Sequence, residues 1–278
     1  MVLFIAIKNK IVILRGTINM IDIHCHILPD IDDGASDLDE ALEMARIAQS
    51  EGIRKIVNTS HFHPKFKYKM GEELLDEVNR FNVALKANNI DIEVLLGNEI
   101  YYTDEIIEQL QDLKFYTLNN SKYLLIEFSP MNVPKNLADV VYEVKLKGYT
   151  PILAHVERYN NVIENPNIIY DCIKEGAIIQ VNASSILGKH GKEIKKVSDI
   201  LLDNNMVHIV ASDAHGSQRR RPQLREAYDF VKSKYSKETA ENLFRNNQSL
   251  IIENKDIIIP RASMYEEKRG LFSKLFKR

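Results

Sequence analysis

Seven short apolar runs, each followed by a stretch of helical periodicity, leave this chain few folds to choose from. The runs are "MIDIHCH" (20–26), "KIVNTSH" (55–61), "IEVLLGNE" (92–99), "YLLIEFS" (123–129), "PILAHVER" (151–158), "AIIQVNAS" (177–184) and "HIVASDAH" (208–215). Between them, helical patterns cover roughly 37–50, 71–88, 103–112, 136–147, 166–175, 193–204 and 222–246. The first helix reads as capped by Ser36 and ended by Gly52. Strands alternating with helices, without a Gly/Pro/Ser-rich linker, predict an α/β fold of parallel strands joined by helical crossovers. An open doubly wound sheet and a barrel of the triosephosphate-isomerase (TIM) kind both satisfy that rhythm.

The ends of the runs favour the barrel. His24 and His26 close the first run, His61 the second and Glu99 the third. Glu127 lies near the end of the fourth, His155 near the end of the fifth, and Asp213 and His215 end the seventh. In (β/α) barrels the active site is built at the C-terminal strand ends, and a closed ring gathers those ends around one cavity. With one acid from the "DIDDG" loop, nine metal-binding side-chain types collect on the rim, including five of the eight histidines. Taken singly, each has a structural alternative, a satisfied core pair or a helix cap. Burying nine together would be very costly without cations. Too many for one six-coordinate ion, they suit two or three. The absence of cysteine ligands points to a His/carboxylate site for Mn, Fe or Zn.

The other histidines carry less. His63, in "SHFHP", is a candidate substrate contact or proton donor, or else a loop residue. His208 falls on the opposite strand face from Asp213 and reads as structural, and His190 reads as a loop residue near the substrate. A net charge of −2 gives no basic surface for nucleic acid. Two distant cysteines, Cys25 and Cys172, imply a reducing, cytoplasmic compartment. Neither has an arginine six positions later, as a phosphate-cradling cysteine loop requires. No apolar run approaches the ~20 residues of a membrane span.

The ordered series "MIDIHCHILPDIDDGA", "TSHFHP", "GNEIYY", "LIEFS", "AHVERY", "QVNASS" and "SDAHG" resembles the polymerase and histidinol phosphatase (PHP) superfamily. More closely, it resembles the manganese-dependent protein tyrosine phosphatases of bacterial capsule and exopolysaccharide operons, the CpsB/CapC group. The resemblance covers roughly residues 20–255. It implies a distorted (β/α)7 TIM-like barrel and three divalent ions, Mn²⁺ first among them. His24, His26, Glu99 and Asp213 would hold one ion. Glu99 would bridge to a second, completed by Glu127 and His155, and Asp33, His61 and His215 would hold the third. Arg158 matches the family's phosphate-binding arginine. A second is expected among Arg219, Arg220 and Arg221, and the following proline favours Arg221. The implied substrate is a phosphotyrosine protein, a membrane-associated bacterial tyrosine kinase that controls polysaccharide export.

The chemistry follows from the residue types as well. A water shared by two divalent ions has its pKa pulled from about 16 towards neutrality. Metal and arginine ligands stabilise charge on the equatorial phosphoryl oxygens. A histidinol-phosphatase type of small-molecule phosphoesterase would use the same centre, and only the rim would differ. Metal-dependent amide hydrolysis is disfavoured because no strand ends in lysine. A non-catalytic metal-binding regulatory module would be expected to lack a ligand, and none is missing.

Two flanks fall outside the resemblance. Residues 1–19 read either as an extra strand or hairpin or as translation from an upstream start, with Met20 the functional beginning; the second is preferred. Residues 256–278 end in "EEKRGLFSKLFKR", read as a basic, solvated tail. The alternative is a short amphipathic helix making weak contact with an anionic membrane.

Overall fold

The computed structural model describes residues 3–7, 10–14, 18–66, 68–257 and 259–267. Strands β1 (Leu3–Ile7) and β2 (Lys10–Leu14) pair antiparallel, the hairpin alternative for the N-terminal extension. The other strands are β3 (Met20–Cys25), β4 (Ile53–Asn58), β5 (His61–Phe62), β6 (Glu93–Leu96), β7 (Glu99–Tyr101), β8 (Tyr123–Glu127), β9 (Thr150–Leu153), β10 (Ile178–Asn182) and β11 (Ile209–Ala211). They form two parallel sheets, ordered β3-β4-β6 and β11-β10-β9-β8-β7-β5. Helical crossovers between successive strands make this parallel pairing possible.

Seven apolar runs become nine strands because the second and third break. β4 pairs with β6 and β5 with β7, so both runs change sheet at Thr59–Ser60 and Gly97–Asn98. Side-chain amides take up the backbone groups that the interrupted ladder leaves over. Asn98 Nδ2 donates to Ser60 O at 2.9 Å, and Asn98 Oδ1 accepts from Tyr116 N at 2.9 Å. Gly97 lies so close to its neighbours that a Cβ would stand 2.9 Å from Val57 Cγ1. At the outer edges, Asp213 N donates to His24 O at 2.9 Å and His26 N to Ala214 O at 2.8 Å. These bonds run from β3 of one sheet to the chain just after β11 of the other.

Alternation along the strands sorts residues by face. On one face Tyr123, Leu125, Ile152, Ala154, Ile178, Ile209 and Ala211 form an apolar cluster floored by Ile251 and Ile252. The same face turns polar towards the strand ends, where Glu127, Gln180, Asn182 and Asp213 continue the period of two. The opposite face packs on the surrounding helices through a second, larger cluster.

The first helix, Leu38–Glu51, is capped by Asp37, whose carboxylate accepts from Glu40 N, and not by Ser36. Ser36 instead donates its hydroxyl to Glu40 Oε2 at 2.7 Å. Gly52, at φ 93°, closes it as expected. The helical pattern over 103–112 yields only Asp104–Glu108. That over 222–246 divides into Arg225–Lys234, Lys237–Glu241 and a π-helical turn Asn242–Asn246 running into Asn247–Ile252. Beyond residue 255 the chain is tied back: Tyr265 N donates to Asn167 Oδ1 at 2.7 Å, and Ser263 N to Asn204 O at 3.0 Å. The basic cluster of the tail, from Lys268 onward, lies outside the described residues. Among the described residues no helix is long and apolar enough to cross a membrane.

Candidate metal centre

Glu99, first residue of β7, is buried at the centre of the strand-end residues. Its Oε1 stands 3.2 Å from His24 Nε2 and 3.1 Å from His155 Nε2. Its Oε2 stands 3.2 Å from both His26 Nε2 and His61 Nδ1. One carboxylate therefore faces four imidazoles from three other strand ends. Asp213 Oδ1 is 3.5 Å from His24 Nε2, and Glu127 Oε1 is 3.0 Å from His61 Nδ1. Further out, Asp33 Oδ1 lies 3.3 Å from His61 Nε2 and 3.5 Å from His215 Nε2. All nine expected residues meet, in four overlapping groups whose ligand atoms lie within 4.8 Å of one another. Two of them, His155 (φ 34°) and Asp213 (φ 52°), adopt left-handed backbone conformations that residues with a Cβ seldom take.

The hydrogen bonds behind the cluster test whether it fits a cation. His24 Nδ1 bonds Gln180 Oε1 at 3.1 Å, and His26 Nδ1 bonds Asp32 Oδ2 at 2.7 Å. Each carbonyl or carboxylate oxygen can only accept, so each Nδ1 carries the proton. In the neutral rings both Nε2 lone pairs then point at Glu99 and at each other, 3.4 Å apart. Buried His61 Nδ1 and His155 Nδ1 have no partner in hydrogen-bond geometry. Lone pairs and carboxylate oxygens converging on one another at a largely buried site fit divalent ions held by nitrogen and oxygen.

Proton affinities tell the same story. Burial opposes charge on His26, yet Asp32 and Glu99 raise its pKa to about 10. Burial likewise opposes charge on His61, where Asp33 and Glu127 raise the value to about 12. Burial would push Glu99 up, but His24, His155 and His26 hold it well below the usual carboxylate range. His215 moves the other way, lowered to about 3 by burial and by His26 beside it. The centre attracts positive charge, and protons compete there with any metal.

Several partners carry no sequence signature. Asp32 also accepts from His61 N at 2.8 Å, so it ties the segment after β3 to β5. Gln180 Oε1 accepts from His155 N at 2.8 Å as well as from His24. Its Nε2 donates to Asn182 Oδ1 at 2.7 Å, and Asn182 Nδ2 donates to Asp213 Oδ2 at 2.8 Å. β10 thus supplies none of the nine residues but braces three of them, one on β3 and two just beyond the ends of β9 and β11. Their only sequence signal is the period-two "QVN" continuing the inward face.

Two guanidinium groups reach the same carboxylate. Arg158 Nη1 lies 3.2 Å from Asp213 Oδ2, and Arg220 Nη2 lies 2.6 Å from Asp213 Oδ1. Arg221, favoured by the proline register, lines a cavity of about 260 Å³ together with Asp213 and Arg220 but makes no ion pair among the described residues. His190 also lines that cavity and bonds Ser184 Oγ at 2.8 Å. His63 stays outside the four groups: its Nδ1 accepts from Lys65 N and its ring packs on Phe66. His208 is buried and accepts from Ile179 N at 3.0 Å. Cys25 and Cys172 are free and buried. Burial pushes the Cys25 thiol well up and that of Cys172 to about 12, so neither is poised as a nucleophile.

A sequence model for the family described as capsular polysaccharide synthesis, CpsB/CapC, matches residues 20–253. The chain belongs to the CpsB/CapC family. Among its relatives in that family, the tyrosine-protein phosphatase YwqE of Bacillus subtilis is 38% identical over 239 residues, covering 86% of this chain and 93% of YwqE. The tyrosine-protein phosphatase CpsB of Streptococcus agalactiae serotype III is 36% identical over 246 residues, covering 84% and 99%. A crystal structure from a study of YwqE from Bacillus subtilis and CpsB from Streptococcus pneumoniae superposes with a TM-score of 0.84 at 35% identity, over 89% of this chain and all of that one. Those two proteins are described there as metal-dependent tyrosine phosphatases.

Proposed function

We propose that this CpsB/CapC member is a metal-dependent phosphatase that hydrolyses phosphotyrosine on proteins of capsule or exopolysaccharide synthesis. The observation that carries the reading is the Glu99-centred cluster with Arg158 and Arg220 on its flank. Relatives 35–38% identical over most of the chain and named tyrosine-protein phosphatases support the substrate class. The proposed partner is a membrane-associated tyrosine kinase of that system, met in the cytoplasm.

In this reading His24, His26, Glu99 and Asp213 hold one ion, and Asp33, His61 and His215 hold another. Glu99, Glu127 and His155 hold the third. The short separations within the first two sets support them, as do 3.1 Å from His155 Nε2 to Glu99 Oε1 and 3.8 Å to Glu127 Oε2. Manganese is the proposed metal, with iron and zinc suited to the same donors. When bound, such ions supply Lewis acidity and lower the pKa of water towards neutrality.

The chain's own part is orientation and charge. Gln180 and Asp32 fix the tautomers of His24 and His26, leaving Nε2 free to coordinate. Arg158 and Arg220 each use one of five donors on Asp213, and the remaining fork can grip two oxygens of a phosphoryl group. Arg220 takes the role expected of Arg221 because it reaches the centre. We also read the two parallel sheets as one distorted (β/α)7 barrel, on the strength of the backbone bonds from His24 and His26 to Asp213 and Ala214.

The test is hydrolysis of a phosphotyrosine peptide against histidinol phosphate, after chelation and again with Mn²⁺ restored. Metal-dependent turnover favouring the peptide is expected. Preference for histidinol phosphate would move the substrate to a small molecule, and turnover of neither would refute the phosphatase.

A further inference from the structure

A strip of rings leaves the metal centre at β5, the opposite end of the six-stranded order from β11, after which Asp213 and its two arginines stand. It starts at His61, whose ring centroid lies 6.3 Å from that of Tyr68. Tyr68 is followed by Phe66 at 5.6 Å, Phe66 by His63 at 4.7 Å, and His63 by Tyr101 at 5.8 Å. Tyr101 lies opposite Glu127 in the β7–β8 register, so the strip flanks a second residue of the centre.

These rings are spare as far as folding is concerned. Phe66, Tyr68 and Tyr101 belong to neither apolar cluster among the described residues. Phe66 is 53% exposed, so its ring face is open to a ligand. The turn beneath it is nonetheless pinned. Phe66 N donates to His63 O at 3.0 Å, Lys65 N donates to His63 Nδ1 at 3.1 Å, and Lys65 Nζ pairs with Glu105 at 2.9 Å. The strip is thus presented, not merely left loose.

The rim of the centre therefore has two unlike sides. On one stand Arg158, Arg220 and Asp213, suited to a phosphoryl group. On the other stand flat, weakly polar faces beginning beside His61. An aryl phosphate ester has the same division, an anionic end joined through one oxygen to a ring. We propose that Tyr68 and Phe66 form an aryl subsite, stacking on the phenyl ring of phosphotyrosine and setting a preference for aryl over alkyl phosphate esters. Offset or edge-to-face contact with two rings gives such a preference without any hydrogen bond. The inference rests on the phosphatase reading.

The experiment compares phenylphosphonate with methylphosphonate, two unreactive phosphate mimics, by calorimetry on the manganese-loaded protein. Wild type, Phe66→Leu, Tyr68→Leu and the double variant are measured, with KM and kcat on a phosphotyrosine peptide alongside. Leucine keeps an apolar side chain and removes the ring. The phenyl-to-methyl affinity ratio is expected to fall about tenfold in the double variant, with the loss on peptide appearing in KM. An unchanged ratio, or equal weakening of both phosphonates, in a protein that still hydrolyses the peptide would overturn the aryl subsite alone. A wild type that neither hydrolyses the peptide nor binds either phosphonate would overturn the phosphatase reading and this inference with it.

Discussion

Asp32 shows how much one side chain outside the nine can govern. Its Oδ2 accepts from His26 Nδ1 and from the His61 backbone, while Oδ1 accepts from Gly34 N at 3.0 Å. Asp32→Asn keeps the shape and removes the charge and one acceptor. Manganese affinity is expected to fall about 10–100-fold, measured by titrating Mn²⁺ into the apo protein, with the circular dichroism spectrum unchanged. Gly34 is needed for close approach: a Cβ there would stand 2.2 Å from His26 O. Gly34→Ala should therefore displace the "DIDDG" turn from β3, and the same titration should show weaker binding. Eight of the nine residues were legible because histidines and carboxylates are rare at the ends of apolar runs, and Asp33 was named only by the family resemblance. Asp32 was not, since it is one of several acids in the turn and only geometry sets it inward and Asp33 outward. Gln180 and Asn182 were hidden for a different reason, because amides occur anywhere and signal no chemistry by type.

The strand breaks belong to the next scale up. Hydrophobic periodicity reports which residues are buried, not which strand they pair with, so each broken run reads as one strand. Likewise it reports one helix over 222–246, where the chain turns at Tyr235 and again through the π-helical turn. The break at Gly97 is tight on three sides, since a Cβ there would also stand 3.0 Å from Leu118 Cδ2 and 3.3 Å from Asn58 O. Gly97→Ala is expected to cost about 1–3 kcal/mol, read from the urea midpoint. His208 makes β11 sensitive to acid. Burial lowers its pKa from 6.5 to about 3, so the folded chain keeps it neutral while the unfolded chain takes up a proton. Its contribution is complete above pH 6.5 and is lost as pH falls towards 3. At pH 5 the loss is about 2 kcal/mol. The stability difference between wild type and His208→Asn should shift by that amount between pH 7 and pH 5, measured by urea unfolding at each.

At the scale of the whole molecule, the parallel α/β class was readable from rhythm alone, whereas the change of partners at two strands was not. The centre joins residues contributed from His24 to His215, so anything binding there links distant parts of the chain. A cation that binds only the folded state stabilises it by about 2.7 kcal/mol at a hundred times its dissociation constant. Chelation should therefore lower the melting temperature, and Mn²⁺ should restore it in a concentration-dependent way, followed by scanning calorimetry. The nine residues also differ in depth: His24 and His26 are wholly buried, while the Asp33 side chain is 62% exposed. The outer set thus opens to solvent through Asp33, while the inner set has no exposed surface of its own. Ions held at the two depths would then have unequal residence times. After a sudden dilution, activity would record the history of the metal supply as well as its present level.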